Sequence, residues 1–222
     1  MKAKNLAIFA VLTLFTAVMI FSGCGKSDKM VKVTSGEKVS DNKGNKTVKI
    51  DTTTSTINWT GRKVTGEHKG TIKISKGEVN LDGEKIVGGK FDIDMKTIVD
   101  VDLTDPEWNT KLITHLKSAD FFDIEKFPAS KFEITSVAPF KDEKKPGLNF
   151  TVNGNLTMKD VTKGISFPGK INVSNGVVTA EAEFDVDRTD WGIKYGSGKF
   201  FDNLGDKMIN DTFTLSFKIN AK

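Results

Sequence analysis

The stretch VTAEAEFDVD, residues 178–187, alternates apolar and polar side chains at every position. Such a period of two predicts a β-strand with one buried face and one face in water. At about 3.3 Å per residue the stretch spans roughly 33 Å, which is long for a small sandwich but suits the tilted wall of a barrel.

The same alternation recurs along most of the chain from Asp51 onward and predicts about eight to ten strands. Its apolar positions are Ile57 and Trp59, Ile72 and Ile74, Val79 and Leu81, Phe91, Ile93 and Met95, Phe132 and Ile134, Phe150, Val152, Leu156 and Met158, Ile165 and Phe167, Ile171 and Val173, and Phe213, Leu215, Phe217 and Ile219. Asp82-Gly83 and Asn175-Gly176 lie between alternating runs and predict tight hairpins, whereas Asn153-Gly154 predicts a bulge or bend. Neighbouring strands are therefore expected to be antiparallel.

Every predicted strand has one apolar and one charged face, so the sheet must enclose an apolar interior. The pattern leaves two architectures open, a single closed barrel and a two-layer sandwich. An outer-membrane barrel is disfavoured, because its outer face would have to be apolar and uncharged.

One segment departs from the alternation and predicts a helix. Asp105-Pro106-Glu107 is typical of a helix start, with Thr104 or Asp105 as the cap, and Lys117 lies in the last turn. Leu112 and Leu116 lie one turn apart on this helix.

The helix leads directly into SADFFDIEKFPASKFEI, residues 118–134, which contains four phenylalanines at neither helical nor strand spacing. Large aromatic side chains at irregular spacing indicate a loop that re-enters an apolar interior before a strand begins. We expect a helix-to-strand corner that closes one end of the fold, with Phe121, Phe122 and Phe127 pointing inward.

The N-terminus predicts export. Residues 1–23 have a short basic start, an uncharged apolar run and a small-residue end, which together are typical of a signal peptide. Cys24, the single cysteine, follows directly and resembles the acylated cysteine of a bacterial lipoprotein, although Phe21 stands where that motif usually has leucine. Residues 24–50 are predicted to be the lipidated cysteine and a flexible, solvated tether, and residues 51–222 the folded domain.

Charge excludes one class of function. The whole chain has a net charge of +4, but residues 51–222 contain 24 Lys and Arg against 26 Asp and Glu. The predicted domain is therefore near −2 and has no basic surface for nucleic acid.

Catalytic and metal signatures are weak. The histidines, His68 and His115, have no cysteine partner and no metal-binding spacing, so no metal site is predicted. There is no nucleophile elbow, phosphate loop or dinucleotide fingerprint, and Arg188 and Asp190 are interpreted as a structural ion pair at the rim. We therefore expect a protein that is not an enzyme.

Five pieces of the chain, in order, carry a family resemblance: HKGTIKISKGEV, GGKFDIDMKTI, HLKSADFFDIEKFPASKFEI, VNGNLTMKDVTKGISF and FDVDRTDWGI. Together they resemble the YceI-like family of secreted bacterial lipid-binding proteins over most of residues 57–219. The chain differs in the segment DLTDPEWNTKLIT and in its lipoprotein leader. The resemblance implies an all-β fold, an extended lipocalin-like antiparallel barrel of about eight strands with one or two short helices, whose apolar interior binds a long polyisoprenoid chain.

The resulting hypothesis is an envelope carrier or sink for a quinone or polyprenyl lipid, anchored through Cys24 and facing the periplasm or the cell surface. An isoprenoid tail needs an apolar wall and no other cofactor, and thirteen of the sixteen phenylalanines lie in residues 51–222, where they are available for it. Two alternatives remain, an enzyme acting on an envelope lipid and a structural stress-response lipoprotein, and pairing into a homodimer is left open. The candidate cavity residues are Trp59, Phe91, Ile93, Phe121, Phe122, Phe127, Phe132, Phe150, Val152, Leu156, Phe167, Phe184, Val186, Trp191, Leu215 and Phe217.

Overall fold

The computed structural model describes residues 28–39 and 44–222. The predicted signal peptide and Cys24 lie outside these residues, so their processing and acylation stay predictions. None of the helices in the described ranges has the length and apolar character needed to cross a bilayer.

Ten strands form one antiparallel sheet. They are β1 (Lys32–Ser35), β2 (Lys46–Lys49), β3 (Thr56–Lys63), β4 (Gly66–Asp82), β5 (Lys85–Asp100), β6 (Ala129–Pro139), β7 (Phe150–Met158), β8 (Val161–Ser174), β9 (Val177–Asp187) and β10 (Ile209–Ala221). Strands β3 to β10 pair in succession, and β10 pairs back with β3, so eight of them close a barrel. This closure decides between the barrel and the sandwich that the alternation left open.

Two-residue turns join β3 to β4, β4 to β5, β7 to β8 and β8 to β9, and longer connections join the other barrel strands. The predicted hairpins are confirmed at Asp82-Gly83 and at Asn175-Gly176, where Asn175 and Gly176 have φ values of 52° and 74°. The bulge or bend expected at Asn153-Gly154 of β7 lies instead on the partner strand β6, where the register shifts between Ile134 and Ser136. A Cβ on Gly154 would lie 2.3 Å from the ring of Phe132, so this glycine lets the aromatic side chain approach the backbone.

Helix α1 (Pro106–Lys117) crosses the end of the barrel between β5 and β6. Asp105 caps it, accepting hydrogen bonds from the backbone N–H groups of Glu107 and Trp108 at 2.9 and 3.0 Å, as predicted. Two single 3₁₀ turns, Arg188–Trp191 and Gly205–Lys207, lie in the connection from β9 to β10.

The structure differs from the prediction in the segment assigned to a flexible tether. Strand β1 pairs with the first half of β8, and β2 pairs with residues 78–81 of β4. Val31, Val48 and Ile50 are buried in the core. The physical reason is that β4 and β8 extend beyond their barrel neighbours, and the N-terminal segments satisfy edges that would otherwise be unpaired.

Candidate functional site

A cavity of about 190 Å³ lies inside the barrel beneath helix α1. Its wall is almost entirely hydrocarbon, contributed by β3, β4, β5, β6, β7 and β10, by the helix, by the corner that follows it and by the β9–β10 connection. Members of that wall are Ile57, Ile72, Met95, Ile98, Leu112, Leu116, Met158, Ile193, Ile209 and Phe213 in addition to residues expected from the sequence. The wall of the cavity is therefore suited to contact with an apolar group.

The structure divides the residues predicted from the sequence into three groups. Six of them line the cavity: Trp59, Ile93, Phe121, Phe122, Leu156 and Leu215. Nine pack in the core around it instead: Phe91, Phe132, Phe150, Val152, Phe167, Phe184, Val186, Trp191 and Phe217. Phe127 belongs to neither group, because it is half-buried outside the core cluster with the ammonium of Lys126 5.2 Å from its ring centre.

An aromatic stack explains why so many inward-facing phenylalanines do not reach the cavity. The rings of Phe167 and Phe184 stack with centres 4.2 Å apart, and Phe132 and Phe217 pack against Phe167 with centres 5.9 and 5.8 Å away. Rings in such close contact fill their part of the barrel. The open space is thus confined to the end covered by the helix.

The corner at residues 118–134 covers part of the same end of the barrel as the helix. Phe121 is buried, and its ring packs against those of His115 on the helix and Tyr195 on the β9–β10 connection, with centres 4.9 and 5.6 Å away. The backbone N–H of Phe122 donates to the carbonyl of Leu116 at 3.1 Å, which turns the chain back under the helix. The inward orientation predicted for Phe121 and Phe122 agrees with the structure, and that predicted for Phe127 does not.

Arg188 holds the β9–β10 connection in place at the mouth of the cavity, which is the opening between helix α1, the β3–β4 hairpin and this connection. Its side chain is 5% exposed, and the carboxylate within 4 Å of it belongs to Asp211, at 3.6 Å. The predicted pair with Asp190 is wrong. The guanidinium instead donates hydrogen bonds of 2.9, 3.1 and 3.0 Å to the backbone carbonyls of Ile193, Ile209 and Asn210. A planar group with five donors can hold several carbonyls at once, so Arg188 fixes the loop that borders the cavity.

Trp191 and Asp187, which are close to Arg188 in the chain, also hold the β9–β10 connection in place. The indole N–H of Trp191 donates to the carbonyl of Leu156 at 3.0 Å, which ties the 3₁₀ turn to β7. Burial opposes ionisation of Asp187, but hydrogen bonds from Lys199 at 2.5 Å and Thr189 at 2.6 Å outweigh it and lower the pKa of Asp187. The folded connection therefore favours the ionised carboxylate.

Polar side chains are a minority around the cavity, and three of them lie at its mouth. Arg62 and Lys63 come from the end of β3, and His68 from the start of β4. Asp100 and Asp102 lie beside His68, although they are more than thirty residues away from it in the chain. This cluster was not predicted from the sequence. Strand pairing between Gly70 and Asp100 brings them together.

A closed antiparallel barrel with an apolar interior and a helix over one end is a lipocalin-like architecture. Residues 48–221 match the YceI-like domain, and the chain belongs to the YceI-like family. The family resemblance inferred from the sequence and the lipocalin-like barrel are both confirmed.

Individual relatives share part of the chain. The chain is 33% identical over 105 residues to a UPF0312 protein of Pseudomonas putida strain F1, which covers 46% of this chain and 48% of the relative. It is 32% identical over 102 residues to protein YceI of Salmonella arizonae, with the same two coverages. The chain therefore spans about half the length of the curated relatives it matches.

Two solved structures share the fold. Burkholderia cenocepacia BcnA aligns with a TM-score of 0.59 at 20% identity, covering 78% of this chain and 99% of that structure. A polyisoprenoid binding domain from Saccharophagus degradans, described as implicated in plant cell wall breakdown, aligns with a TM-score of 0.56 at 10% identity and covers 79% and 97%. At such identities the likeness establishes the fold alone.

Proposed function

We propose that this protein binds the tail of an isoprenoid lipid, of the quinone or polyprenyl type, in the cavity beneath helix α1. The observation that carries the proposal is the hydrocarbon wall of a cavity that opens between the helix, the β3–β4 hairpin and the β9–β10 connection. An apolar tail entering it leaves water without requiring any polar partner. The polyisoprenoid binding domain with the same fold supports this choice of ligand.

The size of the cavity sets how the tail enters. An apolar cavity of about 150 Å³ accommodates benzene, so about 190 Å³ holds one or two isoprene units. A longer tail needs either further room or an exit through the mouth. Met95 and Met158 line the cavity, and their unbranched side chains adapt to irregular ligands at little cost. We infer that these methionines move as the tail advances.

The expected affinity follows from the number of enclosed carbons. A tail of about 30 carbons at roughly 0.3 kcal/mol per atom would gain about 9 kcal/mol, equivalent to submicromolar binding. A tail enclosed over a third of its length would gain about a third of that and bind only at millimolar concentration or weaker. Affinity should therefore rise with tail length until the accessible interior is full.

Membrane anchoring belongs to the same proposal, with Cys24 acylated and the barrel held at the cell envelope. The carbonyl of Asp28 accepts a hydrogen bond of 2.8 Å from Lys145, which lies on the β6–β7 connection. That connection is at the barrel end opposite the mouth, because antiparallel strands place successive connections at alternate ends. The backbone at Asp28 is therefore tied to this connection. The mouth would then point away from the membrane holding the acyl chains, as suits a carrier or sink that exchanges lipid with another partner.

Native mass spectrometry of the protein purified gently from its own membranes tests the binding. We expect a non-covalent adduct that organic solvent extracts and whose fragments are isoprenoid. Stripped protein should take up quinones in order of increasing tail length. Protein that is recovered empty and does not take up quinone or polyprenol would overturn the proposal.

A further inference from the structure

We propose that His68, Asp100 and Asp102 form a binding site for a divalent transition-metal ion, such as zinc, at the mouth of the cavity. His68 lies at the start of β4, Asp100 ends β5, and Asp102 follows two residues later. One ligand atom from each of the three residues lies within 4.8 Å of the other two. This inference does not depend on the identity of the lipid.

The strongest indication is an oxygen without a partner. The Asp100 side chain is completely buried, and its Oδ2 has no hydrogen-bond partner among the described residues. A buried carboxylate oxygen without a partner is costly, and such an atom commonly indicates an ion or water that completes its surroundings. Nothing in the apolar cavity wall nearby supplies that partner.

The histidine cannot satisfy both carboxylates by itself. Nδ1 of His68 lies 3.2 Å from Oδ2 of Asp102 but 4.0 Å from Oδ2 of Asp100. The longer distance exceeds hydrogen-bond range, and a ring nitrogen carries at most one proton. A cation placed among the three atoms would contact all of them.

The two carboxylates are already oriented for such a cation. Oδ1 of Asp100 accepts from the backbone N–H groups of Asp102 and Leu103 at 3.2 and 2.8 Å and from the amide of Asn109 at 3.3 Å. Oδ1 of Asp102 accepts from the backbone N–H of Lys69 at 2.6 Å. Both Oδ2 atoms are therefore left to face His68. In known metal sites, hydrogen bonds to the ligating side chains orient them in this way.

The chemistry and spacing of these groups favour a transition metal over calcium or magnesium. Zinc binds imidazole nitrogen and carboxylate oxygen at about 2.0–2.2 Å, which places tetrahedral ligand atoms roughly 3.3 Å apart. The His68–Asp102 separation already fits, and the His68–Asp100 separation must shorten by less than one ångström. Calcium and magnesium prefer ligand sets made only of oxygen. Two carboxylates with a neutral imidazole would also balance the charge of a divalent ion.

Three protein ligands leave a position for water or for an oxygen atom of a molecule in the mouth, because His68 also borders the cavity. The site is therefore placed where a bound ion could contact the polar end of a ligand. Metal binding is nevertheless testable without any lipid.

Zinc titration of the full chain tests the site, using untagged protein in detergent with Cys24→Ser in every sample so that no thiol contributes. Competition with a chromophoric chelator should show one zinc per chain. His68→Gln and Asp100→Asn should each weaken it at least a hundredfold, and cobalt should give a visible spectrum that both variants lose. Asparagine at position 100 keeps the Oδ1 acceptor and so preserves the turn at residues 100–103.

The matched control is His115→Gln, because His115 pairs with the single carboxylate of Asp120 at 3.1 Å. It should bind zinc as tightly as the parent. Should Asp100→Asn lose its circular dichroism spectrum, Asp102→Asn replaces it. The proposal is wrong if the parent binds no zinc, or if His68→Gln and His115→Gln bind it equally.

Discussion

Replacing Gly61 with leucine should block the cavity while leaving the barrel folded. Gly61 lies in β3 between Phe213 of β10 and His68 of β4, and it borders the cavity mouth. A Cβ built on Gly61 meets no atom within 4 Å, so the position has room for a side chain. A strand also favours leucine over glycine, because glycine loses more backbone freedom on folding.

The size of the effect follows from the volume that leucine occupies. Its side chain adds four carbons in space that a tail would otherwise fill, and each enclosed tail atom gains about 0.3 kcal/mol of net binding free energy. Displacing about four tail carbons costs roughly 1.2 kcal/mol, or about eightfold in affinity. The melting temperature should stay at or above that of the wild type.

Quenching of tryptophan fluorescence by a quinone provides the assay, because Trp59 lines the cavity. The control is Thr60→Leu, which adds a similar side chain to the same strand on its outer face and should bind quinone as the wild type does. If Gly61→Leu keeps its melting temperature and binds quinone with unchanged affinity, the ligand does not enter through this mouth and the account of the cavity is wrong.

Three further predictions follow from the same structure. Phe122→Asp should lose most bound lipid, because it introduces a charge into the hydrocarbon wall of the cavity. Phe127→Asp should retain its lipid, because Phe127 does not line the cavity. Equal amounts of lipid extracted from the two variants would contradict the placement of Phe122 in the cavity wall. Arg188→Met should lower the free energy of unfolding by about 3 kcal/mol, since it removes the hydrogen bonds to one buried and two partly buried carbonyls. The exposed Arg62→Met should cost less than about 1 kcal/mol in urea denaturation. The lowered pKa of Asp187 means that its stabilisation is complete above the ordinary carboxyl pKa of about 3.9 and is lost as the pH falls through the lower folded value. The stability difference between the wild type and Asp187→Asn should therefore shrink in acid, and a difference that stays constant from pH 7 to pH 3 would contradict this.

Local signals predicted most of the barrel. Strict alternation identified the wall strands, and Asn175-Gly176 marked a hairpin because both residues must adopt positive φ. The helix start was equally local, since Asp105 caps with its own side chain. Closure is not local, because it depends on β10 meeting β3 across most of the chain.

The features that the sequence did not predict have a common cause. Each depends on which distant part of the chain a short or ambiguous segment contacts. Strands β1 and β2 have four residues each, and the alternation of Val31 with Val33 and of Val48 with Ile50 is too brief to distinguish from a solvated segment. Inward orientation was predicted correctly for Phe167, but the sequence gives no means of knowing that its ring stacks on another and fills the space. Likewise, Asp100 joins His68 only through pairing of β4 with β5.

A crystal structure of the protein purified from its own membranes, without added lipid, tests the central proposal most directly. We predict continuous electron density of a chain with a methyl branch at each isoprene unit, running from the wall between Trp59, Phe122 and Leu215 out through the mouth beside Gly61. A cavity that is empty or filled by ordered water, in protein that also takes up no quinone on soaking, would contradict it.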